Sequence, residues 1–214
     1  MEVSVSIFLV LIFLFSVVVH EISHGFVADS LGDPTARMAG RLTLNPLKHL
    51  DPIGSILLPA VLFLVSLVSG GNGIIFGWTK PVPIDSLNFR DKKYGTLKVA
   101  LAGPLSNLLI AVLFGIITRL ISSQNSAFFQ NLTVLLGYIV FINLLFCVFN
   151  LWPTPPFDGS HVLFHFLPPA SQRLKLSLYQ NQLFSYLAAV LFIMYIGIPY
   201  ICNPLFKLLT GLQV

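Results

Sequence analysis

The chain has 214 residues, of which 56% are hydrophobic and only 9% charged, and its mean hydropathy is +0.87. A soluble globular domain carries about 25% charged residues, so a water-exposed globular enzyme is excluded and lipid is the solvent for the arguments that follow. The formal net charge of +4 does not point to nucleic acid, because the basic residues sit in loops between apolar runs, the pattern of membrane topology.

The first apolar run predicts a membrane helix over about 3–29, stopped by Gly32-Asp33-Pro34. Residues 1–19 do not read as a cleavable signal: Glu2 is present, no basic residue precedes the apolar stretch, and no small-x-small site follows it. No soluble domain is expected at either end. Near the far end of this helix stand His20-Glu21-Ile22-Ser23-His24. At 1.5 Å per residue His20 lies about 25 Å along, still within membrane depth. Histidines four apart share one helix face and can reach one metal ion. A glutamate beside the first can act on water at that metal, as in zinc peptidases with H-E-x-x-H. A chance match is disfavoured, since three ionisable groups in an apolar segment are costly without partners or a function.

A polar loop with Arg37, Arg41, Lys48 and His49 follows. Residues 53–69 are apolar but marginal in length and interrupted by Pro59, and the glycine-flanked stretch 70–80 reads as extended. Together, 53–80 are expected to enter the membrane as a short helix and return as a strand. After a second basic loop (Arg90, Lys92, Lys93, Lys98), helices are expected over about 97–121 and 131–150. The run Trp152 to Gly159 holds three prolines, which unravel the helix and leave carbonyls that need protein or water. A broken helix over 151–167, a last span over about 183–200, and an interfacial tail from Asn203-Pro204 complete the chain. Cys147 and Cys202 lie in apolar stretches and read as small buried hydrophobes. The fold class is an all-α polytopic membrane protein: one domain over 1–214, a helical bundle with a re-entrant helix/β-strand element.

Charge bears on this topology. With 53–80 re-entrant, all of the 12 Lys and Arg except Arg119 and Lys207 fall on one side. The positive-inside rule makes that side cytoplasmic and puts the N-terminus outside. An ordinary span over 53–69 would instead set the two basic loops on opposite sides.

A zinc site with an open position usually has three protein ligands. Beside His20 and His24 the candidates are Asp158, His161, His165, His49 and a few loop acids. Asp158 is best placed, in a proline-broken setting where irregular backbone lines a polar cavity; the plain alternative is a turn at the membrane boundary. Asn150 reads either as a donor to an oxyanion or substrate backbone, or as a helix C-cap before the prolines. His161 and His165 are four apart without a glutamate and read as interfacial histidines, outer partners of the site or a weak accessory metal site. Asn107 reads as interhelical glue.

The H-E-I-S-H of residues 20–24, with Asn150-Leu151-Trp152-Pro153-Thr154-Pro155-Pro156-Phe157-Asp158-Gly159, resembles the site-2 protease family of intramembrane zinc metalloproteases. Phe157 stands where that family usually has Leu, and Ala102-Gly103-Pro104-Leu105-Ser106-Asn107 is similar to its A-G-P-x-x-N helix start. The resemblance spans about residues 16–167. It implies zinc on His20, His24 and Asp158, Glu21 as catalytic base, and a transmembrane protein as substrate within the lipid bilayer. It also implies that the strand at 71–80 is the family's re-entrant β element, whose exposed edge could pair with an unwound substrate. The chain has no stretch resembling the PDZ or CBS modules of many members. A bacterial or archaeal inner membrane is expected, with the site opening to the cytoplasm and self-association left open. The rival reading is a metal-ion transporter or metal-binding membrane protein using the same ligands, which has no need of Glu21 as a base.

Overall fold

The computed structural model describes residues 3–51, 80–124 and 126–213. Among these, four helices are long and apolar enough to cross a membrane: Ile7–Ser30, Gly95–Ile121, Ala127–Asn150 and Gln182–Thr210. We label the helices α1 (Val3–Ser30), α2 (Thr35–Met38), α3 (Gly95–Ile121), α4 (Ala127–Asn150), α5 (Gly159–Phe166), α6 (Gln172–Gln180), α7 (Gln182–Phe192) and α8 (Asn203–Thr210), with a π-helical stretch Ile193–Cys202 joining the last two. No strand occurs among the described residues, and the expected re-entrant element over 53–80 lies almost wholly outside them.

The stop after α1 is a Schellman turn. Gly32 takes a φ of +104°, Gly32 N–H donates to Asp29 O and Asp33 N–H to Ala28 O. Small residues let the helices approach closely. Ala111 of α3 packs with Val140 and Leu144 of α4 and Phe206 of α8 in one buried cluster. A Cβ on Gly115 would lie 2.7 Å from Leu209 Cβ, so that crossing of α3 and α8 requires glycine. Cys147 and Cys202 are both buried and free, as expected of small hydrophobes.

Two boundaries depart from expectation. The chain does not leave the bundle at Asn203-Pro204: Cys202 and Asn203 keep helical φ and ψ, and the helix runs on through Pro204 to Thr210 before Gly211 caps it at a φ of +76°. Arg173 and Lys175, expected in a loop, lie instead in α6, an amphipathic helix over Gln172–Gln180.

The bundle has two chemically distinct ends. Lys80 N–H donates to His49 O at 2.9 Å, so the loops of Arg37–Lys48 and Lys80–Lys98 meet at one end. At the other, the Arg119 guanidinium donates to Leu208 O at 2.8 Å, next to Lys207. The two basic loops thus share one end and Arg119 and Lys207 the other, while the re-entrant element on which the full charge count depends lies almost wholly outside the described residues.

Candidate metal centre

Helical spacing makes the first half of the site. His20 and His24, one turn apart on α1, are 4% and 6% exposed and bring their Nε2 atoms to 3.0 Å. Proline makes the second half. After α4, Pro153, Pro155 and Pro156 supply no N–H and end the helix. Phe157 then packs its ring on Phe149 and Tyr186, and the Thr154 and Ser185 hydroxyls bond to each other, fastening the loop to α7. Gly159 is essential to this path, since a Cβ there would lie 2.2 Å from Leu151 O. The result sets Asp158 Oδ2 3.0 Å from His20 Nε2 and 3.2 Å from His24 Nε2.

These three atoms form a nearly equilateral triangle. Ligands about 2.0–2.2 Å from a tetrahedral ion stand roughly 3.3 Å from one another, so the edges match one face of such a site. Among the described residues, this is the one group of three or more His, Cys, Asp or Glu side chains whose ligand atoms converge. The ring tautomers fit as well. His20 Nδ1–H donates to Asn107 Oδ1 at 2.7 Å and His24 Nδ1–H to Val99 O at 2.6 Å, which leaves both Nε2 lone pairs facing the triangle. Asn107 is itself fixed: its Nδ2 donates to Ser16 O at 3.2 Å and to Asn143 Oδ1 at 2.9 Å, and Asn143 Nδ2 donates to Ile139 O. Gly103 of α3 leaves the space beside both Nε2 atoms open, for a Cβ there would lie 2.4 and 2.5 Å from them. Donor chemistry, spacing and room thus all suit a divalent ion of the zinc class.

A cavity of about 400 Å³ opens over the triangle. Glu21, Asn150 and His161 line it with the three converging residues, and Pro81, Val82 and Ile84 form part of its wall. Glu21 Oε2 accepts a hydrogen bond from Val82 N–H at 2.9 Å. Asn150 donates Nδ2 to Phe146 O within its own helix, so its amide has a local partner as well as a place in the cavity wall. His49 and His165 stand apart from the triangle: His49 Nε2 bonds to Thr43 O, and His165 stacks on Tyr94 at 5.2 Å.

The residues that sequence reasoning missed are those that aim the others. Asn107 reads as glue between helices but is the acceptor that orients His20. Asn143, in the middle of an apolar run, completes that chain. The available signal was the cost of an amide at membrane depth without a partner. Replacing Asn107 by Leu is expected to weaken metal affinity about 10- to 100-fold. Competition against a calibrated chelator measures this, and unchanged affinity would show that His20 is oriented without it.

The model of peptidase family M50 matches residues 52–195, a stretch that contains Asn150 and Asp158 and begins after His24. Relatives that the chain matches carry the name "Putative zinc metalloprotease". YwhC of Bacillus subtilis is 36% identical over 76% of this chain and 70% of its own length. Rip2 of Mycolicibacterium smegmatis is 33% identical over 79% and 61%, and Rip2 of Mycobacterium tuberculosis 32% over 75% and 57%. The chain therefore spans about three fifths of the mycobacterial relatives. No solved structure gives a significant match.

Proposed function

Because the chain belongs to peptidase family M50, the site-2 protease family of zinc metalloproteases, we propose that it cuts peptide bonds within transmembrane segments of other membrane proteins. In this reading His20, His24 and Asp158 hold the zinc, Glu21 is the base, and residues 1–214 act as one membrane-embedded domain. The observation that carries it is the triangle of ligand atoms with edges of 3.0–3.2 Å, set beside a glutamate in a cavity among helices long and apolar enough to cross a membrane.

Zinc, when bound, supplies Lewis acidity, bringing the pKa of water towards about 7 and polarising a carbonyl. The chain's own residues do the rest. Glu21 withdraws a proton from the attacking water and returns it to the leaving amine nitrogen as the C–N bond breaks. Val82 N–H holds one oxygen of that carboxylate while the transfer occurs. The Asn150 amide, at the cavity wall, holds the substrate backbone. A substrate helix must unwind before its carbonyls can enter, and the proline-broken wall gives them polar company at depth.

The site lies at the end that gathers Lys48, Lys80, Arg90, Lys92, Lys93 and Lys98, which supports an opening towards the cytoplasm of a bacterial or archaeal cell. Purified protein incubated with a panel of single-span membrane proteins is expected to cleave at least one of them. A chelator should abolish the cleavage and added zinc restore it. A metal-loaded preparation that cuts none, or cuts equally with chelator, overturns the proposal.

A further inference from the structure

One wall of the cavity is a strap, the non-helical residues 80–85 leading into a 3-10 turn at Ser86–Asn88. It is fastened to the loop after α1 at one end and to the end of α1 at the other. Lys80 N–H donates to His49 O at 2.9 Å, and Arg90 N–H to Leu31 O at 2.7 Å. Phe89, 2% exposed, packs with Ala28 and Val99. Between these points Asp33 accepts from Asp85 N–H at 2.8 Å and from Asn88 Nδ2 at 3.0 Å.

Asp33 is fully buried, at 0% exposure. A buried carboxylate is costly unless its oxygens are filled, and here the Thr35 N–H and hydroxyl complete the set of donors. Burial pushes its carboxyl up, but the hydrogen bonds from Thr35, Asp85 and Asn88 outweigh that and hold it below the ordinary carboxylate range. The residue is therefore a charged clamp between the turn after α1 and the strap.

The strap lines the cavity with Pro81, Val82 and Ile84 and reaches Glu21 through a backbone donor. Pro81 and Pro83 carry no N–H and have fixed φ, so Val82 supplies the one backbone donor of the Pro-Val-Pro tripeptide, and it goes to Glu21 Oε2 at 2.9 Å. Val82 also packs directly on α1: a Cβ on Gly25 would come 3.0 Å from its Cγ1.

We infer that Asp33 is a positioning residue for Glu21: by clamping the strap it keeps Val82 N–H on one carboxylate oxygen and presents the other to the cavity. The inference rests on the reading of Glu21 as base. What separates Asp33 from a residue that merely stabilises the fold is the readout at the Val82 amide, the strap's hydrogen bond to Glu21. In zinc-loaded protein, Asp33→Asn, which sets an amide N–H₂ among the clamp's donors, is expected to speed hydrogen exchange at the Val82 amide about tenfold or more. It should lower kcat by about 10- to 100-fold, with KM within about threefold and zinc content kept. Val82→Pro, which deletes the donor and leaves the Asp33 clamp in place, should reproduce the loss of kcat, with Val82→Ala as the control for the lost packing on Gly25. Wild-type exchange at Val82 in Asp33→Asn, or a folded Val82→Pro with normal kcat, overturns the inference. If Asp33→Asn does not fold, Val82→Pro decides alone. If the wild type cleaves no substrate, the endopeptidase reading fails, while the exchange measurement still decides whether Asp33 holds the strap on Glu21.

Discussion

Glu21→Gln is expected to bind zinc as the wild type does and to lose cleavage by about 10²- to 10⁴-fold, the range a positioned general base contributes. The side chain keeps its size, and its remaining carbonyl oxygen can still accept from Val82 N–H, which in the wild type lies 2.9 Å from Glu21 Oε2. The triangle of His20, His24 and Asp158 contains no atom of Glu21, so its donors are untouched. What disappears is the ability to take a proton. Metal analysis of the purified variant and a time course of substrate cleavage read the two effects separately. Cleavage within tenfold of wild type would remove Glu21 from the role of base. The same variant separates hydrolysis from metal transport, since transport through these ligands needs no proton acceptor beside His20 and would survive the change.

What was legible in the sequence is what depends on short spacing or on backbone chemistry. His20 and His24 share a face because the helix repeats every 3.6 residues, and no tertiary knowledge is needed to see it. Asp158 could be singled out because three prolines have one consequence for a helix wherever it packs. The long helices were equally plain, with α1 expected over about 3–29 and observed at Val3–Ser30. Asn107 and Asp33 were visible as residues but not in their roles. Asn107 meets His20 across 87 positions of sequence and Asp33 meets Asp85 across 52, so their partners depend on which faces of which elements come together. Asp33 also had a sufficient local explanation as part of a helix stop, which hid its distant one. Asn203-Pro204 departs from expectation for a related reason: the pair reads locally as a helix stop, whereas helical backbone runs through it and the packing of Phe206 against Ala111 and Val140 keeps α8 in the bundle.

Gly103→Ala is expected to abolish stoichiometric zinc binding, and cleavage with it, while leaving the helices formed. Its methyl group would lie 2.4 Å from His24 Nε2, 2.5 Å from His20 Nε2 and 2.6 Å from His20 Cε1. Side-chain termini can usually swing out of such a contact, but these rings cannot do so freely. Each is tied at its other nitrogen, His20 to Asn107 at 2.7 Å and His24 to Val99 O at 2.6 Å. Val99, Gly103 and Asn107 all belong to α3, so the helix that delivers the methyl also holds the rings in its way. Relief requires either a broken buried hydrogen bond, which costs about 1–3 kcal/mol, or withdrawal of α3 from α1. Either path moves Nε2 lone pairs off the point where they converge with Asp158 Oδ2. Gly115→Ala is the control for a general displacement of α3: its methyl would meet Leu209 Cβ at 2.7 Å, on the α8 side of the helix, away from the triangle. That variant should unfold at lower temperature yet retain its zinc. Zinc per protein in the two variants, set beside their thermal midpoints, distinguishes a blocked site from a loosened bundle. Full zinc content in Gly103→Ala would mean that the ion's place is not the space this glycine keeps open.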